Sequence, residues 1–150
     1  MLELGQQRGY TLLELMVTLG IVSILAGVAV PSFTDFVRTQ RLRSVASDLT
    51  TSFQLARSEA VKRNTDITVA RVGSSWVEGW TVAAGATTLR AQDAISGLSI
   101  TGSANSFIFR SNGRIDSAVT FSLASAADAS AAKCVRLSLS GSTITDDGAC

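Results

Sequence analysis

The chain offers few residues able to do covalent chemistry. It has no histidine among its 150 residues, which removes the commonest general base and the commonest metal ligand. Cys134 and Cys150 are the only cysteines. They are either two buried thiols or one disulfide, and the compartment decides between these. Asp146-Asp147-Gly148 suggests calcium, but two adjacent carboxylates without an oxygen-ligand loop pattern read as a turn. Arg57 and Glu59 are too close along a helix to face each other. Trp76 and Trp80 could form a platform for a sugar or peptide, although core or edge burial is the commoner fate of such rings. No Gly-rich phosphate loop and no metal-ligand spacing is present. The sequence predicts no catalytic residue, no cofactor and no metal site.

One charged group is conspicuous by its setting. Glu14 is the only charge between Leu12 and Val30, in the run LLELMVTLGIVSILAGVAV. Tyr10 to Val30 is 21 residues, as a helix about 30 Å long and so the thickness of a bilayer's hydrocarbon core. Arg8 precedes it, which favours a cytoplasmic N-terminus and an exported remainder. A cleaved secretory signal, with Gly27-Val28-Ala29 as its cleavage site, and a plain single-pass anchor both fit the apolar run. Neither explains Glu14, which costs up to about 3 kcal/mol on insertion.

Behind this segment stand the elements that must carry it. Pro31 predicts a kink near 26–31. Ser32 to Asn64 reads as an amphipathic helix with a stripe of Phe36, Leu42, Val45, Leu49, Phe53, Ala56 and Ala60. Arg38, Arg41, Arg43, Arg57, Lys62 and Arg63 share its other faces with Asp35, Asp48 and Glu59, a solvated and partly salt-bridged surface. The overall net charge is only +1, which gives no global pull toward nucleic acid. From Thr65 onward the pattern changes to short strands, predicted at 67–72, 76–83, 87–91, 98–101, 107–110, 119–123 and 135–140. Asn112-Gly113 is a two-residue turn signal, and 124–133 reads as a loop. The predicted fold is α+β, a long N-terminal helix packed on an antiparallel β-sheet.

Gly9-Tyr10-Thr11-Leu12-Leu13-Glu14 resembles the class III signal of type IV pilins and type II secretion pseudopilins. Phe53 to Asn64, FQLARSEAVKRN, and Trp76-Val77-Glu78-Gly79-Trp80 resemble the FimT/FimU/GspH branch of minor pilins and pseudopilins. The resemblance implies the type IV pilin fold and a leader, 1–9, cut by prepilin peptidase between Gly9 and Tyr10, with N-methylation of Tyr10. It implies a transmembrane and assembly helix, 10–31, ahead of a periplasmic domain, 32–150, made of an amphipathic helix (32–64) and a sheet region (65–150). Glu14 then neutralises the new amine of a neighbouring subunit and sets axial register, because an unpaired charge in an apolar bundle is costly while a registered pair is tolerable. An exported domain makes a Cys134–Cys150 disulfide the simpler expectation.

The function implied is a minor pilin that helps initiate or cap a type IV pilus. It would sit in the bacterial inner membrane with its C-terminal domain in the periplasm, and then in the pilus at the cell surface. Its partners would be prepilin peptidase, the inner membrane, and other major and minor pilins contacted through N-terminal helices. Pro31-Ser32-Phe33-Thr34-Asp35-Phe36 looks more like the pilus side than like the alternative, a GspH-like minor pseudopilin of a periplasmic pseudopilus. DNA binding, known in some FimT relatives, ranks last. The stretch from Ser140 to Cys150 has two acids and no base, and phosphate contact needs Lys or Arg.

Overall fold

A computed structural model of the chain describes residues 9–126 and 131–150, without the side chains of residues 28–31. The expected leader up to residue 8 and Pro31's ring lie outside the described residues, while the backbone at 26–31, where the kink is expected, is part of one helix. Two compact units are present, Met1–Val37 and Arg38–Cys150. One helix, α1 (Leu12–Arg63), contributes to both.

In the first unit the side chains from Leu12 to Leu25 lie open. Leu12 is 76% exposed and Ile24 72%. The helix holds an apolar stretch long enough to cross a membrane, and none of that stretch is buried within the chain.

The second unit is built on the other part of α1, from Arg38. Leu42, Val45, Ala46, Leu49, Phe53, Ala56 and Ala60 are all buried, the three- and four-residue spacing of a single helical face. Phe36, expected on this stripe, is instead exposed and belongs to the first unit. The helix ends as the sequence indicates. Asn64 takes a positive φ of 49°. Thr65 N–H donates to Ala60 C=O and Asn64 N–H to Val61 C=O, the paired bonds of a Schellman stop.

Among the described residues eight strands follow: β1 (Ile67–Arg71), β2 (Trp80–Ala84), β3 (Thr87–Gln92), β4 (Leu98–Gly102), β5 (Ser106–Phe109), β6 (Val119–Ser125), β7 (Ala132–Leu137) and β8 (Thr143–Asp147). They form two antiparallel four-stranded sheets, ordered β3-β2-β1-β5 and β4-β6-β7-β8, in place of the single sheet expected. Both sheets turn alternate residues into one core shared with α1, Val69, Val82 and Phe109 from the first and Ile100, Leu123 and Val135 from the second. Phe53 joins the layers. Its ring lies 5.3 Å from Phe107 on the first sheet and 5.2 Å from Phe121 on the second.

Three local expectations are corrected. Trp76–Glu78 is a 3-10 turn rather than the start of a strand. Ser75 Oγ accepts the Val77 N–H, and Gly79, at φ 105°, turns the chain into β2. Asp146 and Asp147 lie in β8, not in a turn. Of the predicted loop 124–133, residues 127–130 lie outside the description, while Ala124, Ser125, Ala132 and Lys133 are strand.

Candidate functional site

The N-terminal segment starts at a capped helix end. Thr11 Oγ accepts the Glu14 N–H at 3.2 Å, and Thr11 C=O accepts the Leu15 N–H. Thr11 is therefore the N-cap, and Glu14 is the third helical residue, the Thr-x-x-Glu spacing of a capping box. The sequence reading overlooked Thr11, although this spacing was its signal. A carboxylate in the first turn also meets the positive end of the helix dipole. Farther along, Thr18 and Ser23 donate their hydroxyls to the Leu15 and Leu19 carbonyls, so these polar groups need no water. Gly9 and Tyr10 are exposed just ahead of the cap, and the Glu14 carboxylate has no partner among the described residues. From Leu12 to Leu25 the segment is thus an exposed apolar surface whose carboxylate, Glu14, has no partner among the described residues.

The FQLARSEAVKRN stretch divides its work by face. Ala56 and Ala60 are fully buried. Glu59 pairs with Arg63 at 2.5 Å and with Lys62 at 3.7 Å, and the Arg63 hydrogen bond holds its carboxyl below the ordinary value. Arg57 points to two hairpin turns of the same build. In the first, Gly113 N–H donates to Arg110 C=O and Arg110 N–H to Arg114 C=O. In the second, Gly141 N–H donates to Ser138 C=O and Ser138 N–H to Ser142 C=O. Each is a three-residue loop with glycine at positive φ, 74° at Gly113 and 76° at Gly141, so the Asn112-Gly113 turn is one residue longer than predicted. A Cβ on Gly141 would lie 2.3 Å from Gly113 C=O and 3.2 Å from Arg57 Cδ, and one on Gly113 3.4 Å from Arg57 Cγ. Sequence spacing alone could not have joined Arg57 to these two turns.

Both tryptophans are core. Trp76 Nε1 donates to Ala104 C=O at 2.9 Å, and Trp80 Nε1 donates to Ser52 Oγ at 3.0 Å. The signal for Ser52 was its position three residues after Leu49 and four before Ala56, on the buried face. Several cations of the second unit face carboxylates. Arg110 bonds Asp116 and Asp66, and its guanidinium lowers the Asp116 carboxyl. Arg90 faces Asp48, Arg136 pairs with Asp146 and Lys133 with Asp147. Cys134 and Cys150 form a disulfide, their Cα atoms 4.9 Å apart. Among the described residues no group of His, Cys, Asp or Glu is arranged to hold a metal ion.

Two family models match. The prokaryotic N-terminal methylation motif covers residues 4–30, which include Gly9, Tyr10 and Glu14. The type II transport protein GspH model covers residues 45–141, more than half of the chain, which include Arg57 and both glycine turns. The chain belongs to the GspH family. Within it the chain is a pilin-like subunit, a minor pilin or pseudopilin. Solved folds agree with this membership. The type IV minor pilin FimU of Pseudomonas aeruginosa superposes with a TM-score of 0.65 at 24% identity, over 74% of this chain and 92% of that one. The minor pseudopilin EpsH of the Vibrio cholerae type 2 secretion system superposes with a TM-score of 0.59 at 14% identity, over 71% and 97%. Among curated relatives, prepilin peptidase-dependent protein D of Escherichia coli K12 is 26% identical over 106 residues, 65% of this GspH-family chain and 72% of that protein.

Proposed function

We propose that the chain is a minor pilin of a type IV pilus. Prepilin peptidase cuts it between Gly9 and Tyr10, the new amine of Tyr10 is methylated, and the subunit helps to start or cap the filament. The observation that carries this reading is the Glu14 carboxylate, unpartnered among the described residues and set at the capped start of an exposed apolar helix. A cut before Tyr10 supplies a cation four residues from it. In a bundle of such helices, the carboxylate of one subunit and the amine of the next neutralise each other, and the pair is tolerated only in register. Before assembly the apolar stretch spans the inner membrane once, with Arg38–Cys150 on the periplasmic side, where a Cys134–Cys150 disulfide persists.

The pilus is preferred to a secretion pseudopilus because Pro31 and the residues after it resemble pilus subunits. Mass spectrometry of the mature N-terminus tests the processing. The expected first residue is methylated Tyr10. A mature chain starting at Val30 would mean an ordinary secretory signal and would overturn the proposal. Recovery of the subunit in sheared surface pili, and its absence from a periplasmic pseudopilus, tests the choice of filament.

A further inference from the structure

We infer that the groove between α1 and the turn 138–142 is a docking site for a side-chain carboxylate of a neighbouring pilin-type subunit, with the Arg57 guanidinium as its receptor. The groove holds about 500 Å³ and is lined by Gln54, Arg57, Ser58, Val61, Ser142 and Thr143. It contains no acidic side chain. Lys62, Arg63, Arg90, Arg110, Lys133 and Arg136 each face a carboxylate; Arg57, like Arg41, Arg43, Arg71 and Arg114, has none among the described residues, and of these it is the one that lines this groove. Its stem is nonetheless held. Cγ, Cδ and Nε lie 3.2–3.4 Å from where a Cβ on Gly113 or Gly141 would stand, so the stem packs against both turns. A guanidinium fixed by its stem loses little freedom on binding, and its planar fork matches a carboxylate.

The surroundings supply further polar groups. The hydroxyls of Ser138, Ser140 and Ser142 lie 2.7–3.1 Å from one another. A hydroxyl hydrogen rotates to suit its acceptor, so Ser142 can turn a donor toward an incoming oxygen. Gln54 adds an amide at the same edge.

The rim favours a protein ligand. Val61 lines the groove beside Arg57 and is 55% exposed. Arginine is enriched at the centres of protein–protein contacts. Nucleic acid would require an array of free cations, whereas the next two cations along α1, Lys62 and Arg63, share the Glu59 carboxylate.

The inference rests on the reading that the chain enters a filament, and the test separates the two. In full-length protein expressed in cells, Arg57→Met keeps the stem against both glycines and removes the charge. The expected result is about a tenfold loss of incorporation into sheared filaments, with an unchanged melting midpoint of the detergent-solubilised protein and partial rescue by Arg57→Lys. A photocrosslinking residue in place of Ser142 is expected to capture an Asp- or Glu-bearing segment of another pilin-type subunit. Normal incorporation of Arg57→Met, a fall in melting midpoint that accounts for its loss, or capture of nucleic acid alone or of nothing overturns the docking site. Failure of the unaltered chain to enter filaments overturns the filament reading instead.

Discussion

The indole N–H of Trp80, on β2, is hydrogen-bonded to the hydroxyl of Ser52, on α1, at 3.0 Å, with both side chains fully buried. Ser52 passes its own hydrogen to the Asp48 carbonyl at 2.7 Å, so the pair leaves no polar atom unsatisfied. Ser52→Ala removes the acceptor and strands the indole N–H in the core. The expected cost is about 1–3 kcal/mol, read as a lower urea midpoint at unchanged slope. Trp80→Phe in the Ser52→Ala background should recover part of the loss, because the stranded donor is then gone. Equal stabilities for Ser52→Ala and the parent chain would remove this bond as a determinant of the helix–sheet fit.

Gly141 is constrained twice. Its φ of 76° disfavours any side chain, and a Cβ would press on the Gly113 carbonyl at 2.3 Å. Gly85 shares the backbone region, at φ 56°, but faces open space. Gly85→Ala should therefore cost only the left-handed strain, about 1 kcal/mol, and Gly141→Ala more, about 2–3 kcal/mol. Comparison of the two melting curves isolates the contact between the turns.

Acid should loosen the pairing of Arg110 with Asp116 across the turn that follows β5. Arg110 bonds Asp116 and Asp66, and its hydrogen bond, followed by its charge, keeps the Asp116 carboxyl below its ordinary value. A carboxyl lowered in the folded state contributes stability that is present above its unfolded value, about 4. That contribution is lost as pH falls through the lowered folded value. Asp116→Asn should thus be less stable than the parent at neutral pH, and the two should converge below about pH 4. A gap that stays constant across that range, by denaturant unfolding at each pH, would show that the Asp116 charge is not the source.

For Glu14 the expected phenotype is confined to assembly. Glu14→Ala removes the one charge from the apolar stretch, so membrane insertion is unchanged or improved. Breaking a buried ion pair by deleting one partner costs about 3–5 kcal/mol. That corresponds to roughly a hundredfold or greater loss of the subunit from sheared pili. Glu14→Asp, with the charge retained on a shorter arm, should fall between. Wild-type amounts of Glu14→Ala in filaments would exclude the register pair.

Much of this fold could be read along the chain because its determinants are local. The buried stripe from Leu42 to Ala60 follows the helical period, and Asn64 takes the left-handed conformation that ends the helix. Trp76–Glu78 was misread because alternation looks the same before a cap is recognised. β8 was hidden for a different reason. Asp146 and Asp147 are unusual in a strand, and they become strand residues because Arg136 and Lys133, on the paired β7, accommodate their charge. The site around Arg57 was the least legible. It depends on two turns, 56 and 84 residues farther along, arriving at one helical side chain.

The disulfide has a consequence for β8 beyond stability. β7 and β8 are joined at one end by the turn 138–142 and at the other by Cys134–Cys150. Together they form a closed covalent ring. β8 is the outer strand of its sheet, and an open outer strand is where one chain can trade its edge for that of another. A strand inside a ring cannot be exchanged. It can loosen, but it has no free end to lend, so crowding many copies of this subunit side by side cannot turn packed neighbours into entangled ones through this edge.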